Sequence, residues 1–233
     1  MRRLCGLLPL LLLSACASQH LGGPPPVSAE SQAPHIKDED IHADLIRQML
    51  NNGQYYAALA HIQDQQRSGG SDELTLLEAD ARSHLGQLVQ ADALYRQLLD
   101  SRYAAQAYHG LGRLYVGSDL TVAIRNLAKA VERAPTEVDF RNDLGYALME
   151  AGRYTEANLQ LSTAAELAPN QLTSRNNLII LMILEGHEVA VQQLAQEGAS
   201  AATPERLKEL RETAQSIRDK QKVRAAQAAR PAR

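Results

Sequence analysis

Tryptophan is absent from this chain, phenylalanine occurs once, and cysteine occurs twice. With Phe140 as its single phenylalanine, the chain offers a poor platform for stacking bases or sugars. Cys5 and Cys16 are too few for a disulfide framework or a thiolate metal site. Long apolar runs are missing as well. The longest, Leu4 to Leu13, falls well short of the roughly 20 residues that a spanning helix needs. No GxxxxGK[ST] phosphate loop, Rossmann glycine fingerprint, HExxH or CxxC appears. The seven histidines are scattered, with no pair at ligand spacing on one helical face. No catalytic constellation is visible, and nothing calls for a cofactor, metal or small-molecule substrate.

What is present begins at the N-terminus. Arg2 and Arg3 precede the apolar run, and Ser14-Ala15 supplies small residues just before Cys16, the three-part layout of an export signal. Leu-Ser-Ala-Cys resembles the lipobox of bacterial lipoproteins. That resemblance implies cleavage after residue 15 and lipidation of Cys16 as the new N-terminus. Ala17 follows where an aspartate would signal inner-membrane retention, so it further implies a lipid anchor on the periplasmic face of the outer membrane. Residues 17–34 (ASQHLGGPPPVSAESQAP) are rich in breakers and poor in periodic apolar residues. Such a composition cannot bury enough surface to offset chain entropy. The stretch 16–34 reads as a lipidated tether, reaching at most roughly 50 Å at about 3.1 Å per residue.

Charge is uneven along the rest. Without Arg2 and Arg3, 22 of the 24 basic residues face 27 acidic ones, a net near −5. From Arg218 onward there are six basic residues and one acidic, which leaves residues 16–217 near −10. An acidic body has no general attraction for nucleic acid.

From residue 35 the sequence repeats itself. "FRNDLGYALMEAGRYTEANLQLSTAAELAPN" echoes "AYHGLGRLYVGSDLTVAIRNLAKAVERAPT". Ala123 and Ala157 lie 34 apart, as do Leu127 and Leu161, Ala130 and Ala164, and Pro135 and Pro169. Leu111-Gly112 answers Leu144-Gly145 at 33, which reads as an intervening turn one residue shorter in the earlier copy. This is the tetratricopeptide (TPR) pattern of two antiparallel helices, A and B, per 34 residues. Gly112 and Gly145 fall where helix A lies closest to helix B, Gly152 in the A–B turn, and the prolines just past helix B. Weaker copies carry Leu45, Met49, Gly53, Tyr55, Ala58 and Ile62; Gly86, Ala91, Tyr95 and Leu98; and Leu178, Met182, Gly186 and Val191. In the second copy, Glu78 and Arg82 stand at positions that are usually apolar.

The expected fold is therefore all-α: a right-handed TPR solenoid of about five helix pairs within residues 35–204. The units fall near 39–71, 72–104, 105–137, 138–171 and 172–204. A last helix should start with Thr203 as N-cap and Pro204 in its first turn. Its stripe of Leu207, Leu210, Ala214 and Ile217 should cover the open end of the stack. Beyond Ile217, within the closing segment 205–233, few apolar residues remain, and the chain is expected to fray into a basic tail.

In TPR stacks helix A lines the concave groove, which places His109, Arg113, Asn142, Tyr146, Asn176 and Ile180 on its wall. Asn142 and Asn176 occupy equivalent positions, and amide side chains can grip an extended peptide through both donor and acceptor. A protein partner held in the groove of units three to five is the expected activity. Ordinary polar surface residues, or a groove filled by the protein's own C-terminal segment, are the alternatives. The basic residues needed for a carboxylate clamp are not evident beyond Arg113.

Lipobox, tether and repeats together resemble the outer-membrane TPR lipoproteins that help assemble surface machines. "LGYALMEAGRYTEA" and "SRNNLIILMILEGHEVAVQQLA" are similar to the TadD lipoproteins of the Tad (tight adherence, Flp pilus) system. The resemblance implies a pilotin-like role, binding a secretin or another pilus-assembly component. A type IV pilus pilotin, and an adaptor for cell-wall hydrolases or outer-membrane-protein assembly, stay open as alternatives.

Overall fold

The computed structural model describes residues 38–196 and 202–229, with side chains from residue 42. Cys16 and the tether lie outside the described residues. Eleven helices are described, with no strand among the described residues. They are α1 (Asp38–Asn51), α2 (Tyr55–Ser68), α3 (Asp72–His84), α4 (Leu88–Gln97), α5 (Ala104–Tyr115) and α6 (Leu120–Arg133). Then come α7 (Val138–Glu150), α8 (Tyr154–Leu167), α9 (Leu172–Glu185), α10 (Glu188–Gln196) and α11 (Pro204–Ala228).

The first ten form five antiparallel pairs. The odd-numbered helices touch one another (α1 with α3, α3 with α5, α7 with α9), while the even-numbered ones pack chiefly on their sequence neighbours. The odd helices, the A set, therefore form the inner layer of a curved stack. Small residues allow the two layers to approach. A Cβ on Gly112 would stand 2.5 Å from the Leu127 Cγ, and one on Gly145 would stand 2.6 Å from that of Leu161. Leu127 and Leu161, 34 residues apart in the repeat, are thus the knobs that fill the space left by those two glycines.

The A–B turns of units one, two, four and five place Gly53, Gly86, Gly152 and Gly186 at φ between 72° and 80°, a left-handed conformation that costs glycine little. Unit three departs from this. Its helix A stops at Tyr115, and Asp119 caps α6 by accepting the Val122 N–H at 3.0 Å. The missing residue of that copy comes out of the end of helix A, and the turn is four residues long where unit four has three. The expectation of a shortened turn is corrected accordingly.

The polar pair in unit two also has a structural explanation. Glu78 is buried, and its carboxylate accepts from Arg82 Nε at 2.7 Å and from Gln66 Nε2 at 2.8 Å. Arg82 in turn donates to Gln87 Oε1 at 2.7 Å. The two residues replace an apolar contact with a satisfied bridge from α2 through α3 to the start of α4, and a buried charge is tolerable only when so paired.

Helix α11 starts as its sequence indicates. Thr203 Oγ1 accepts the Arg206 N–H at 3.2 Å, and Pro204 occupies the first turn. It does not cover the end of the stack, however. It packs on α9 and α7, the helix A of units five and four. Nor does it fray at Ile217. The helix runs on to Ala228, because Arg218, Lys220, Gln221 and Arg224 find partners at the C-terminal ends of α7 and α9.

Candidate functional site: the helix A face

The inner face has two regions with different character, and the six groove residues read from the sequence are divided between them. In units four and five the wall is closed. Asn142 is 2% exposed. Its Nδ2 donates to Ser174 Oγ at 3.2 Å, and its Oδ1 accepts from Asn177 Nδ2 at 3.1 Å. Ser174 continues to Gln171 at 3.0 Å, and Gln171 to Asp139 at 2.9 Å. These bonds form a polar seam between α7 and α9. Asn142 therefore joins two repeats to each other and has no amide left for a peptide. Ile180 is buried in the central core at 4% exposure and is likewise no groove wall.

Tyr146 is half-buried near α11. Burial, then the charge of Glu150, pushes its hydroxyl pKa upward against the opposing effect of Lys220. Asn176 remains partly exposed at a shallow depression shared with Ala202, Thr203 and Arg206. The groove of units four and five is thus covered in part by the chain's own C-terminal helix. The equivalent spacing of Asn142 and Asn176 does not make them equivalent: Asn142 turns into the stack, toward Ser174 and Asn177, whereas Asn176 stays at the surface depression.

The same register between units three and four gives a different result. His109 stacks on Phe140 at a tilt of 27°, with ring centroids 4.4 Å apart, and its Nε2 sits 2.8 Å from Asp143 Oδ2. One turn on, Arg113 is 55% exposed, with Nε 3.9 Å from the same carboxylate oxygen. These two side chains line an open cleft of about 350 Å³ on the helix A side of units one to three. Arg47 of α1 and Asp80 and His84 of α3 line it too, with Phe140 of α7 at one end. His84 is held by stacking on Tyr55, with centroids 4.6 Å apart and rings nearly parallel. Arg47 bonds Asp44 and Glu73.

Asp80 is the residue that the sequence reading missed. Its Oδ1 accepts the Tyr95 hydroxyl at 2.6 Å. Tyr95 belongs to the outer helix α4, and its ring reaches the inner face through the space left by Gly110, where a Cβ would stand 2.3 Å from the ring. Tyr95 and Gly110 are 15 residues apart in neighbouring units, so no spacing within one repeat announces the contact.

Desolvation by burial raises the Asp80 pKa. The Tyr95 hydrogen bond and the charges of Arg113, His84 and His109 oppose it. A carboxyl whose folded pKa is raised weakens the fold as pH climbs from its unfolded value, near 3.8, through the folded one. Asp80→Asn keeps an acceptor for Tyr95. It is expected to be more stable than the parent above that window, with the gain disappearing as pH falls to the unfolded value. Urea midpoints of both proteins at pH 7 and at acid pH measure this. An equal difference at both pH values would show that burial does not penalise the charge.

The cleft is of mixed character, with Arg47, Asp80, His84, His109 and Arg113 set among Leu50, Leu76, Leu77 and Phe140. Among the described residues, no group of three or more His, Cys, Asp or Glu could hold a metal ion. No helix among them is long and apolar enough to cross a membrane.

Paired helices, A–B contacts in which leucine fills the space left by glycine, and a helix A cleft define a tetratricopeptide-repeat (TPR) solenoid. No protein-family model matches the chain. It is 31% identical over 159 residues to the TPR repeat-containing protein PA4299 of Pseudomonas aeruginosa, an alignment covering 68% of this chain. The chain spans 64% of that relative's length. Among solved structures, PilF of Pseudomonas aeruginosa matches 81% of this chain and 89% of its own at a TM-score of 0.63 and 18% identity. The TPR protein TTC0263 of Thermus thermophilus matches 77% and 98% at a TM-score of 0.61 and 19% identity. Both likenesses concern the fold.

Proposed function

We propose that the protein is an outer-membrane lipoprotein scaffold that holds a secretin, or another component of a Tad/Flp-type pilus, during assembly. The observation that carries the binding role is the cleft of units one to three. There Arg47, Asp80, His84, His109 and Arg113 converge from three helix A segments on an inner face that α11 leaves uncovered. The pilus setting is supported by the sequence resemblance of units four and five, and the membrane anchor by Leu-Ser-Ala-Cys. The partner contact is thereby moved from units three to five toward the N-terminal half of the stack. In this reading lipid at Cys16 determines where the complex forms, and the cleft determines what is held.

Two variants separate those jobs. Cys16→Ser is expected to lose labelled palmitate and outer-membrane retention while the helical body stays folded. Arg113→Glu combined with His109→Gln is expected to keep both localisation and fold, yet abolish heat-resistant secretin multimers and surface pili. Circular dichroism, membrane fractionation and multimer assays on the same strains decide it. Equal palmitate labelling of Cys16→Ser and the parent would reject the anchor. Normal multimers and pili with the cleft variant would reject the cleft.

A further inference from the structure

The first half of α11 is seated mainly by buried apolar side chains, with an exposed Arg211–Glu188 pair beside them, and the second half by polar contacts alone. Leu210, Ala214 and Ile217 are buried, and all three lie between Pro204 and Ile217. Among the described residues from Arg218 to Ala228, no side chain is buried, and Val223 is 56% exposed. Polar contacts hold this second half. Lys220 Nζ and Arg224 Nη2 reach the two carboxylate oxygens of Glu150 at 2.6 and 2.9 Å. Arg224 Nη1 donates to the Glu150 carbonyl at 2.9 Å, Gln221 Nε2 to the Met149 carbonyl at 2.8 Å, and Arg218 to the Ile183 carbonyl at 2.8 Å. Tyr154 donates its hydroxyl to Gln221 at 3.0 Å. The carbonyls belong to the last turns of α7 and α9, where the helix dipole favours cations; those of Met149 and Ile183 also accept the backbone N–H of Gly152 and of Gly186.

Glu150 is 2% exposed, whereas Lys220 and Arg224 are 51% and 38% exposed on their side chains. Desolvating that carboxylate offsets much of what the two pairs return, and the half-exposed cations are open to screening by salt. Apolar seating of Leu210, Ala214 and Ile217 has no such sensitivity. The sequence RDKQKVRAAQA consists largely of strong helix formers, so this half can stay helical off the body. Between it and the end of α5 lies a cleft lined by Val116, Gly117, Glu150, Ser216 and Val223.

We infer that residues 218–228 form a salt-sensitive clasp. It leaves the body as a unit, while Pro204–Ile217 stays seated, and it uncovers Glu150 and Tyr154 on the unit-four side of the face that receives the partner. The last clause rests on the functional reading above; the clasp itself does not.

Hydrogen exchange of the full chain, read by mass spectrometry from low to high sodium chloride, tests it. Exchange within 218–228 is expected to accelerate on the order of tenfold with salt, while 205–217 stays protected, as for a segment opening below the global transition. Lys220→Glu with Arg224→Glu should show the fast exchange already at low salt, with an unchanged thermal transition by circular dichroism. Equal, salt-independent protection of the two halves would overturn the clasp, as would a double variant in which both halves loosen together. If that variant does not fold, the salt series on the parent protein alone gives the answer. No partner is present in this measurement. A clasp that opens in a protein whose cleft variant still builds pili would defeat the functional reading and leave the clasp standing.

Discussion

Ala157→Leu is expected to lower the stability of the repeat body by about 1–3 kcal/mol, the usual range for overpacking a filled interior. Ala157 is fully buried in α8, at the level where α7 presents Gly145. A Cβ at Gly145 would already be 3.5 Å from the Ala157 carbonyl and 2.6 Å from Leu161. Three added carbons have no room unless α7 and α8 separate, and separation would pull Leu161 out of the space over Gly145. Because each unit in a solenoid is stabilised by its neighbours, the loss should spread to α9 and to the segment of α11 seated on it. Leu159→Ala on the same helix is the control. Leu159 is largely exposed, and its truncation should fall within about 0.5 kcal/mol of the parent. Urea denaturation followed by circular dichroism gives both numbers. An unchanged midpoint for Ala157→Leu would show that α7 and α8 do not meet at this residue.

That contact was legible in the sequence because the two helices of a unit are close in the chain and the constraint recurs. Leucine, alanine at the crossing and proline past helix B return at a spacing of 34, and the glycine opposite leucine at 33, so the two copies support each other. The inner face was less legible, for a physical reason. A residue on helix A faces either open groove or the next helix A, and polarity does not distinguish the two. Asn142 is polar because it bridges to Ser174 and Asn177 inside the stack. His109 has the same register but ends at the rim of the cleft, stacked on Phe140.

The path of α11 was misread because its apolar stripe ends at Ile217, and hydrophobic periodicity carries no information past that residue. Basic and amide side chains take over there, directed at helix ends that sequence cannot place in space. Asp80 was passed over since its partner, Tyr95, comes from an outer helix and arrives through the backbone of Gly110. Both groups are unremarkable within their own repeats.

Tyr95 is where stack and cleft meet, and two substitutions there should have very different effects. Its ring is 2% exposed and fills the space beside Gly110. Tyr95→Ala removes that ring from between α4 and α5 and is expected to cost about 3–5 kcal/mol, as aromatic truncations in cores do. The A helices of units two and three would lose their spacing, and the cleft would lose its shape along with its stability. Tyr95→Phe keeps the ring and deletes only the hydroxyl that donates to Asp80 at 2.6 Å. A net hydrogen bond is worth about 0.5–1.5 kcal/mol, and the carboxyl, facing the cleft, can recover part of it from water. Tyr95→Phe should therefore keep a nearly normal urea midpoint while leaving Asp80 free to turn toward Arg113 or toward solvent. If Asp80 is part of the surface that a partner reads, secretin multimers and pili should fall with Tyr95→Phe although the protein stays folded and abundant. If the phenylalanine variant assembles normally and only the alanine variant fails, Tyr95 matters through its volume alone, and Asp80 contributes nothing to what the cleft holds. If instead Tyr95→Ala leaves the denaturation midpoint where it was, the ring is not the spacer between units two and three.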